Sequence, residues 1–268
     1  MLINESLVQD IVQEVVAKMQ IAEPASQNHG VFTDMNDAIA AAKEAQKVIR
    51  RMSLDQREQI ISNIRRKTRE NAEVLARMGV NETGMGNVGH KILKHHLVAD
   101  KTPGTEDLHT TAWSGDRGLT LVEMGPFGVI GAITPTTNPI VTPMCNAMFA
   151  VKGRNTIIIS PHPRSKKCTK AIKELYDAEF EKLGVPKDIF LYIEEPTIEL
   201  STMLMKSVDV VLATGGPGVV KSAYSSGKPS YGVGAGNVQG ILDKDIDIKT
   251  AVSKIIASRF FDNGIICS

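Results

Sequence analysis

Residues 128–161 read GVIGAITPTTNPIVTPMCNAMFAVKGRNTIIISP. Two short apolar runs, GVIGAITP (128–135) and NTIIISP (155–161), flank a helical pattern near 140–152. Each run is bounded by Gly, Pro or Asn and has the length of a strand buried on both faces. The same texture continues outward. IFLYIEE (189–195), VDVVLATG (208–215) and NVQGILD (237–243) read as further strands, with helical segments near 165–183, 197–206, 216–227 and 246–258. Strand and helix in alternation predict an α/β fold with a mostly parallel, doubly wound sheet.

Upstream the pattern is helical. FTDMNDAIAAAKEAQKVIRRM (32–52) and SLDQREQIISNIRRKTRENAEVLARM (53–78) each repeat apolar residues at helical spacing, with Thr33 or Asp34 capping the first and Ser53 the second. NETGMGNVGHK follows, and it contains Gly84-x-Gly86-x-x-Gly89. A dinucleotide phosphate loop follows a strand, whereas this one follows a helix, so it reads as a turn. At the start of the chain, Leu7, Val8, Ile11, Val12, Val15, Val16 and Met19 form one stripe at helical spacing. A polar Pro/Ser/Gly stretch, residues 21–30, separates this amphipathic helix from the rest as a linker. The helix either folds back on its own domain or docks on another protein.

Composition narrows the function. The 268 residues carry 31 basic and 30 acidic side chains, a balance that offers no field for nucleic acid or a membrane surface. No apolar run approaches the roughly 20 residues that span a bilayer. Three cysteines at wide spacing, Cys145, Cys168 and Cys267, form neither a disulfide framework nor a zinc motif, and suit a reducing cytoplasm. Cys145 and Cys168 fall inside helical patterns and read as packing residues. His95 and His96 are adjacent, so they do not share a helix face as metal ligands would.

In open parallel sheets, ligands bind beyond the carboxyl ends of the strands. TPTTNP (134–139), SPHPRSK (160–166), ATGGPGVV (213–220) and FDNGIICS (261–268) all belong there. ATGGPGVV is a strand, a Gly-rich turn and a helix start, which suits a dinucleotide or is an ordinary structural turn. Asn138, just past a strand end, can donate to an oxyanion or merely tie down its own turn. His162 can contact a ribose or adenine, or only solvent. Cys267 differs from the other cysteines because it follows an Asn-Gly turn behind an apolar lead-in.

VEMGPFGVIGAITPTTNPI, ATGGPG, GVGAGNVQGILD and FDNGIIC, in this order, resemble the aldehyde dehydrogenase superfamily. The resemblance is strongest to its coenzyme A-acylating branch, and KILKHHLVADKTPGTEDLHTTAWSGDRGLTLVEMGPFGVIGAITP is especially similar to the microcompartment-associated members. It runs from about Val31 to the last residue. It implies a Rossmann-like cofactor domain over residues 31–258 with N-terminal helices, and the start of a catalytic domain over 259–268. Members continue well beyond this cysteine, so most of a catalytic domain, with the oligomerisation arm of a homo-oligomer, is expected outside these 268 residues. The resemblance further implies Cys267 as nucleophile and Asn138 as oxyanion donor. Thr214, Gly215 and Gly216 match the cofactor turn, and Pro135, Thr136 and His162 match positions lining NAD. It also implies that the lead-in to Cys267 packs beneath the site.

One departure separates the branches. Hydrolytic members carry a glutamate that activates water, but here the corresponding stretch is SYGVGAGNVQ, and no Asp or Glu occurs between Asp209 and Asp243. Water is a poor nucleophile without a positioned base. A thiol near pKa 8.5 is already about a few per cent thiolate at neutral pH. The missing carboxylate favours coenzyme A as acyl acceptor. The implied reaction is NAD-dependent oxidation of a short aldehyde, acetaldehyde or propionaldehyde, to its acyl-coenzyme A. Arg164, Lys166 and Lys167, close to the expected ribose position, leave NADP open. A hydrolytic dehydrogenase and a non-catalytic cofactor-binding or docking module are the rival readings. In the microcompartment-associated relatives a short N-terminal helix targets the enzyme to a protein shell, and residues 1–20 have that layout.

Overall fold

The computed structural model describes residues 30–237 and 239–266. The targeting helix expected over 1–20, nearly all of the linker and Cys267 itself lie outside the described residues. Strand β1 (Val31–Phe32) leads into α1 (Met35–Ile49), α2 (Leu54–Glu70), α3 (Ala72–Thr83) and α4 (Val88–Lys101). A hairpin of β2 (Thr111–Gly115) and β3 (Gly118–Val122) follows. The α/β portion then runs β4 (Val129–Thr134), α5 (Val141–Lys152), β5 (Thr156–Pro161), α6 (Lys166–Lys182), β6 (Phe190–Ile193), α7 (Ile198–Ser207), β7 (Val210–Thr214), α8 (Pro217–Tyr224) and β8 (Ser230–Val233). It ends with α9 (Ile248–Phe260) and a short turn over Phe261–Gly264.

Six strands form one parallel sheet in the order β1-β6-β5-β4-β7-β8. The chain builds outward from β4 through β5 to β6, then returns to place β7 on the other flank of β4. That reversal is the switch point at which open α/β sheets leave a crevice for ligands. All residues of β4, β5 and β6 are buried, as their continuous apolar runs require. One face packs against α5, α6 and α2 through Met144, Met148, Ile172, Tyr176, Ile60 and Ile64. The other packs against α1, α7 and α8 through Met35, Ala38, Leu204 and Ala223.

The caps explain where the leading helices begin. Asp34 accepts from the N–H of Asn36 and Asp37, so it caps α1 in preference to Thr33. Ser53 and Gln56 form a reciprocal capping box at α2.

Two expectations are corrected. The pattern read as helix from Phe32 opens instead with a two-residue strand, where Val31 pairs with Tyr192 and Phe32 with Ile193. NVQGILD is no strand: the sheet's edge is Ser230–Val233, paired with Val211–Thr214, and the residues described from 234 to 243 have no sheet partner. Ile241 is 92% exposed there; an apolar run becomes a strand only where a neighbour offers backbone hydrogen bonds. In the lead-in to Cys267, Phe261 is half-buried and stacks on His90. Phe260 is exposed, and the fully buried residue of Phe261–Gly264 is Asp262.

Candidate active site

The residues singled out from the sequence collect at the carboxyl ends of three adjacent strands. Pro135, Thr136 and Asn138 follow β4, His162 follows β5, and Thr214, Gly215 and Gly216 end β7. Gly216 is the N-cap of α8 and Pro217 occupies its first turn, where the missing N–H costs nothing. A Cβ placed on Gly216 or Gly218 would meet nothing within 4 Å, so this helix start is open. Beside it lies a cleft of about 550 Å³ lined by Pro217, Val220, Lys221, Tyr224, Ser225, Gly234 and Ala235.

His162 is exposed and caps the short turn after β5, its Nδ1 accepting from the Arg164 N–H at 3.1 Å. An accepting Nδ1 leaves the proton of the neutral ring on Nε2, available to a ligand. Partial desolvation, then the charge of Arg164, lowers this imidazole from its ordinary pKa although its edge is open to solvent. The neighbouring cations are engaged. Arg164 donates to the Thr83 carbonyl at 2.8 Å, and Lys166 pairs with Glu195 at 2.6 Å. The N-terminus of α6 is capped from α3, because the Glu82 carboxylate accepts from the Lys167 and Cys168 N–H groups, both at 2.7 Å.

Asn138 stands at the head of α5, with its carbonyl accepting from the Thr142 N–H. Its side-chain Oδ1 accepts from Lys94 Nζ at 2.9 Å. Lysine has only donors, so this contact can be made by the amide oxygen alone and turns the NH₂ the other way. Lys94 Nζ also donates to Asp262 Oδ2 at 2.6 Å, and Lys91 Nζ donates to the same oxygen at 3.1 Å and to the Thr137 carbonyl at 3.2 Å. Asp262 is wholly buried, with Lys91 and Lys94 at 3% and 7% exposure. Two ammonium groups and one carboxylate thus join the loop after β4 to the turn that precedes Cys267.

This cluster was missed from the sequence, although α4 carried a signal. Its buried positions are Lys91, Lys94, His95 and Ala99, while Leu93 and Leu97 face outward. Lysines on the inward stripe of a helix whose leucines point out call for a buried acidic partner. The cysteines described conform to the packing expectation. Cys168 is buried in α6 and Cys145 lies in α5, and burial raises both thiols above their ordinary pKa. Among the described residues no group of three or more His, Cys, Asp or Glu could hold a metal, and no helix is long and apolar enough to cross a membrane.

Comparison with known proteins gives the family. The chain matches the aldehyde dehydrogenase family over residues 4–268. It is 45% identical over 238 residues to the acetylating succinate-semialdehyde dehydrogenase of Clostridium kluyveri, across 87% of this chain and 52% of that protein. Among solved structures it is similar to a propionaldehyde dehydrogenase from the Clostridium phytofermentans fucose utilisation bacterial microcompartment. There the identity is 55% and the TM-score 0.86, over 89% of this chain and 55% of the other. It is also 41% identical, with TM-score 0.86, to a Rhodopseudomonas palustris propionaldehyde dehydrogenase with bound coenzyme A and an acylated cysteine, over 89% of this chain and 55% of that one. The chain spans about half the length of the curated relatives it matches.

Proposed function

We propose a specific reaction for this chain, which belongs to the aldehyde dehydrogenase family: oxidation of a short aldehyde to its acyl-coenzyme A through a thioester on Cys267. The observation that carries the choice of acceptor is the absence of any Asp or Glu between Asp209 and Asp243. The Cys267 thiolate adds to the aldehyde carbon, forming a C–S bond and sending the carbonyl π pair to oxygen. The amide NH₂ of Asn138 donates to that oxyanion. As the C=O reforms, hydride leaves the carbon, and a thioester remains on Cys267. Nicotinamide, when bound, accepts this hydride. The thiolate of coenzyme A then attacks the thioester carbon, the C–S bond to Cys267 breaks, and the cysteine departs as thiolate. No general base is needed for a nucleophile that is already partly ionised.

The open start of α8 suits a dinucleotide phosphate or the nearby nicotinamide end, with Thr214, Gly215 and Gly216 as the turn after β7 and Pro135, Thr136 and His162 at the ends of the neighbouring strands. NAD is favoured over NADP because Arg164 and Lys166 are already engaged, and because the Glu195 carboxylate beside Lys166 would repel a 2′-phosphate. The domain division stays as read from the sequence, with a cofactor domain over 31–258 and a catalytic domain beginning at 259, and the whole protein assembles as a homo-oligomer in the cytoplasm. The test of the reaction is product analysis on the full-length protein. Acyl-coenzyme A should form in step with NADH when coenzyme A is present, and free acid should not form without it. Steady acid release in the absence of coenzyme A would make the enzyme hydrolytic.

Residues 1–20 are proposed as a shell-docking helix that carries the enzyme into a bacterial microcompartment. Their narrow apolar stripe, Leu7 to Met19, and the linker after it support this reading. So does the microcompartment origin of one relative. A reporter fused to residues 1–20 should concentrate in assembled shells, and Ile11→Glu with Val15→Glu should release it. A fusion that stays diffuse would remove the targeting role.

A further inference from the structure

The loop containing Gly84, Gly86 and Gly89 takes no part in the site proposed above, yet its geometry is specific. Gly86 has φ +83°, and a Cβ there would lie 2.3 Å from Asp262 Oδ1. Only glycine lets the Asp262 carboxylate approach this closely. The Asn87 N–H donates to Asp262 Oδ1 at 2.8 Å, and Asn263 Nδ2 donates to the Gly86 carbonyl at 3.1 Å. One turn further along α4, His90 Nδ1 accepts from the Asp262 N–H at 2.9 Å, while its ring stacks on Phe261 at 4.5 Å. The glycine loop therefore grips protein, not phosphate. It holds a turn in which Asp262, Asn263 and Gly264 all have left-handed φ, of 52°, 57° and 75°. Two consecutive non-glycine residues in that region persist only where surrounding contacts over-determine them.

Lys94 connects this grip to the chemistry. One ammonium group touches both the carboxylate of the cysteine-bearing turn and the side-chain oxygen of Asn138. An asparagine amide can present either end with little change in shape. The cation removes that freedom, because only the oxygen can face it. We propose that Lys94 is a positioning residue: it fixes the amide of Asn138 with NH₂ towards the oxyanion and sets its distance from the turn that carries Cys267. This rests on the reading of Asn138 as oxyanion donor. Without Lys94 the amide is free to present its oxygen to the oxyanion, which repels where it should donate.

A double-mutant cycle on the full-length protein tests this. Asn138→Ala should lower kcat about 100-fold, the usual loss for one oxyanion donor. Lys94→Met keeps the stem of the side chain and leaves Asp262 paired with Lys91; it should lower kcat by about 10-fold or more, with KM for the dinucleotide unchanged. The combined variant should be no slower than Asn138→Ala alone, because a lysine that acts through the amide has nothing to act on once the amide is gone. Lys94→Arg, which retains a donor, should recover part of the loss and so distinguishes orientation from simple packing. If Lys94→Met keeps wild-type kcat, or if the two losses multiply in the combined variant, Lys94 does not work through Asn138 and the inference is overturned. If Asn138→Ala is itself as fast as wild type, the oxyanion assignment falls and this inference falls with it.

Discussion

Replacing Cys267 with alanine or serine should stop aldehyde oxidation, lowering turnover by at least roughly 10⁴-fold as loss of a nucleophile does, while the dinucleotide still binds. Neither Cys145 nor Cys168 can stand in. Burial raises the Cys145 and Cys168 thiols above their ordinary pKa, so both stay protonated in the core. A serine hydroxyl at 267 would need a strong base to ionise it. His95, buried on the inward stripe of α4, does not supply one. Burial pushes His95 down to about 4, and its Nδ1 is engaged by the Lys91 carbonyl. Iodoacetamide should alkylate one thiol rapidly in the native protein, and that rapid phase should vanish in Cys267→Ala. An alanine variant with near-normal turnover would overturn the nucleophile assignment.

What could be read from the sequence was whatever rests on local pattern. The strands β4 to β7 and the helices between them are continuous apolar runs or helical stripes, and each lies within two residues of its expected limits. Caps at Asp34 and Ser53 could be read for the same reason, since a cap acts over three or four residues. The failures share a different cause. Strand β1 has two residues and exists because β6 offers it a partner. The hairpin Thr111–Val122 is exposed on both strands, so it lacks the alternation that marks a half-buried pair. At the sheet edge, NVQGILD is the more apolar run, but Ser230–Val233 is the one beside β7.

The site divides along the same line. Asn138, His162 and the turn after β7 were visible as polar or glycine-rich residues at strand ends, a position with functional meaning in any parallel sheet. The cluster that binds Asn138 to the cysteine turn was not. Lys91 and Lys94 lie 171 and 168 residues from Asp262 in the chain, and no local pattern records such a pairing. Gly86 also gained its meaning only from Asp262, and the fingerprint-like spacing around it proved unrelated to phosphate.

Asp262→Ala should be among the most damaging substitutions for folding. It leaves two buried ammonium groups without their shared counter-charge, a loss of roughly 3–5 kcal/mol when one partner of a buried ion pair is removed. Lys94 keeps Asn138 and Lys91 keeps the Thr137 carbonyl, which places the expected loss nearer the lower end. It also strips the left-handed turn of the contacts to Asn87, Lys91 and Lys94 that hold it. The pH dependence gives a second reading of the same group. Burial, the largest influence, pushes the Asp262 carboxyl up, but the hydrogen bonds from Lys94 and the Asn87 N–H and the charge of Lys91 outweigh it. The native pKa is therefore lower than the unfolded one, and between the two the unfolded chain binds more protons. The stability that Asp262 contributes is then fully present above about pH 4, the ordinary carboxyl range, and is lost as pH falls through the lowered native value. Urea unfolding should show the wild type far ahead of Asp262→Ala at neutral pH, with the gap closing in acid. A loss below about 1 kcal/mol at neutral pH, the worth of an exposed pair, would mean that Lys91 and Lys94 find other partners and that the cysteine turn holds without this carboxylate.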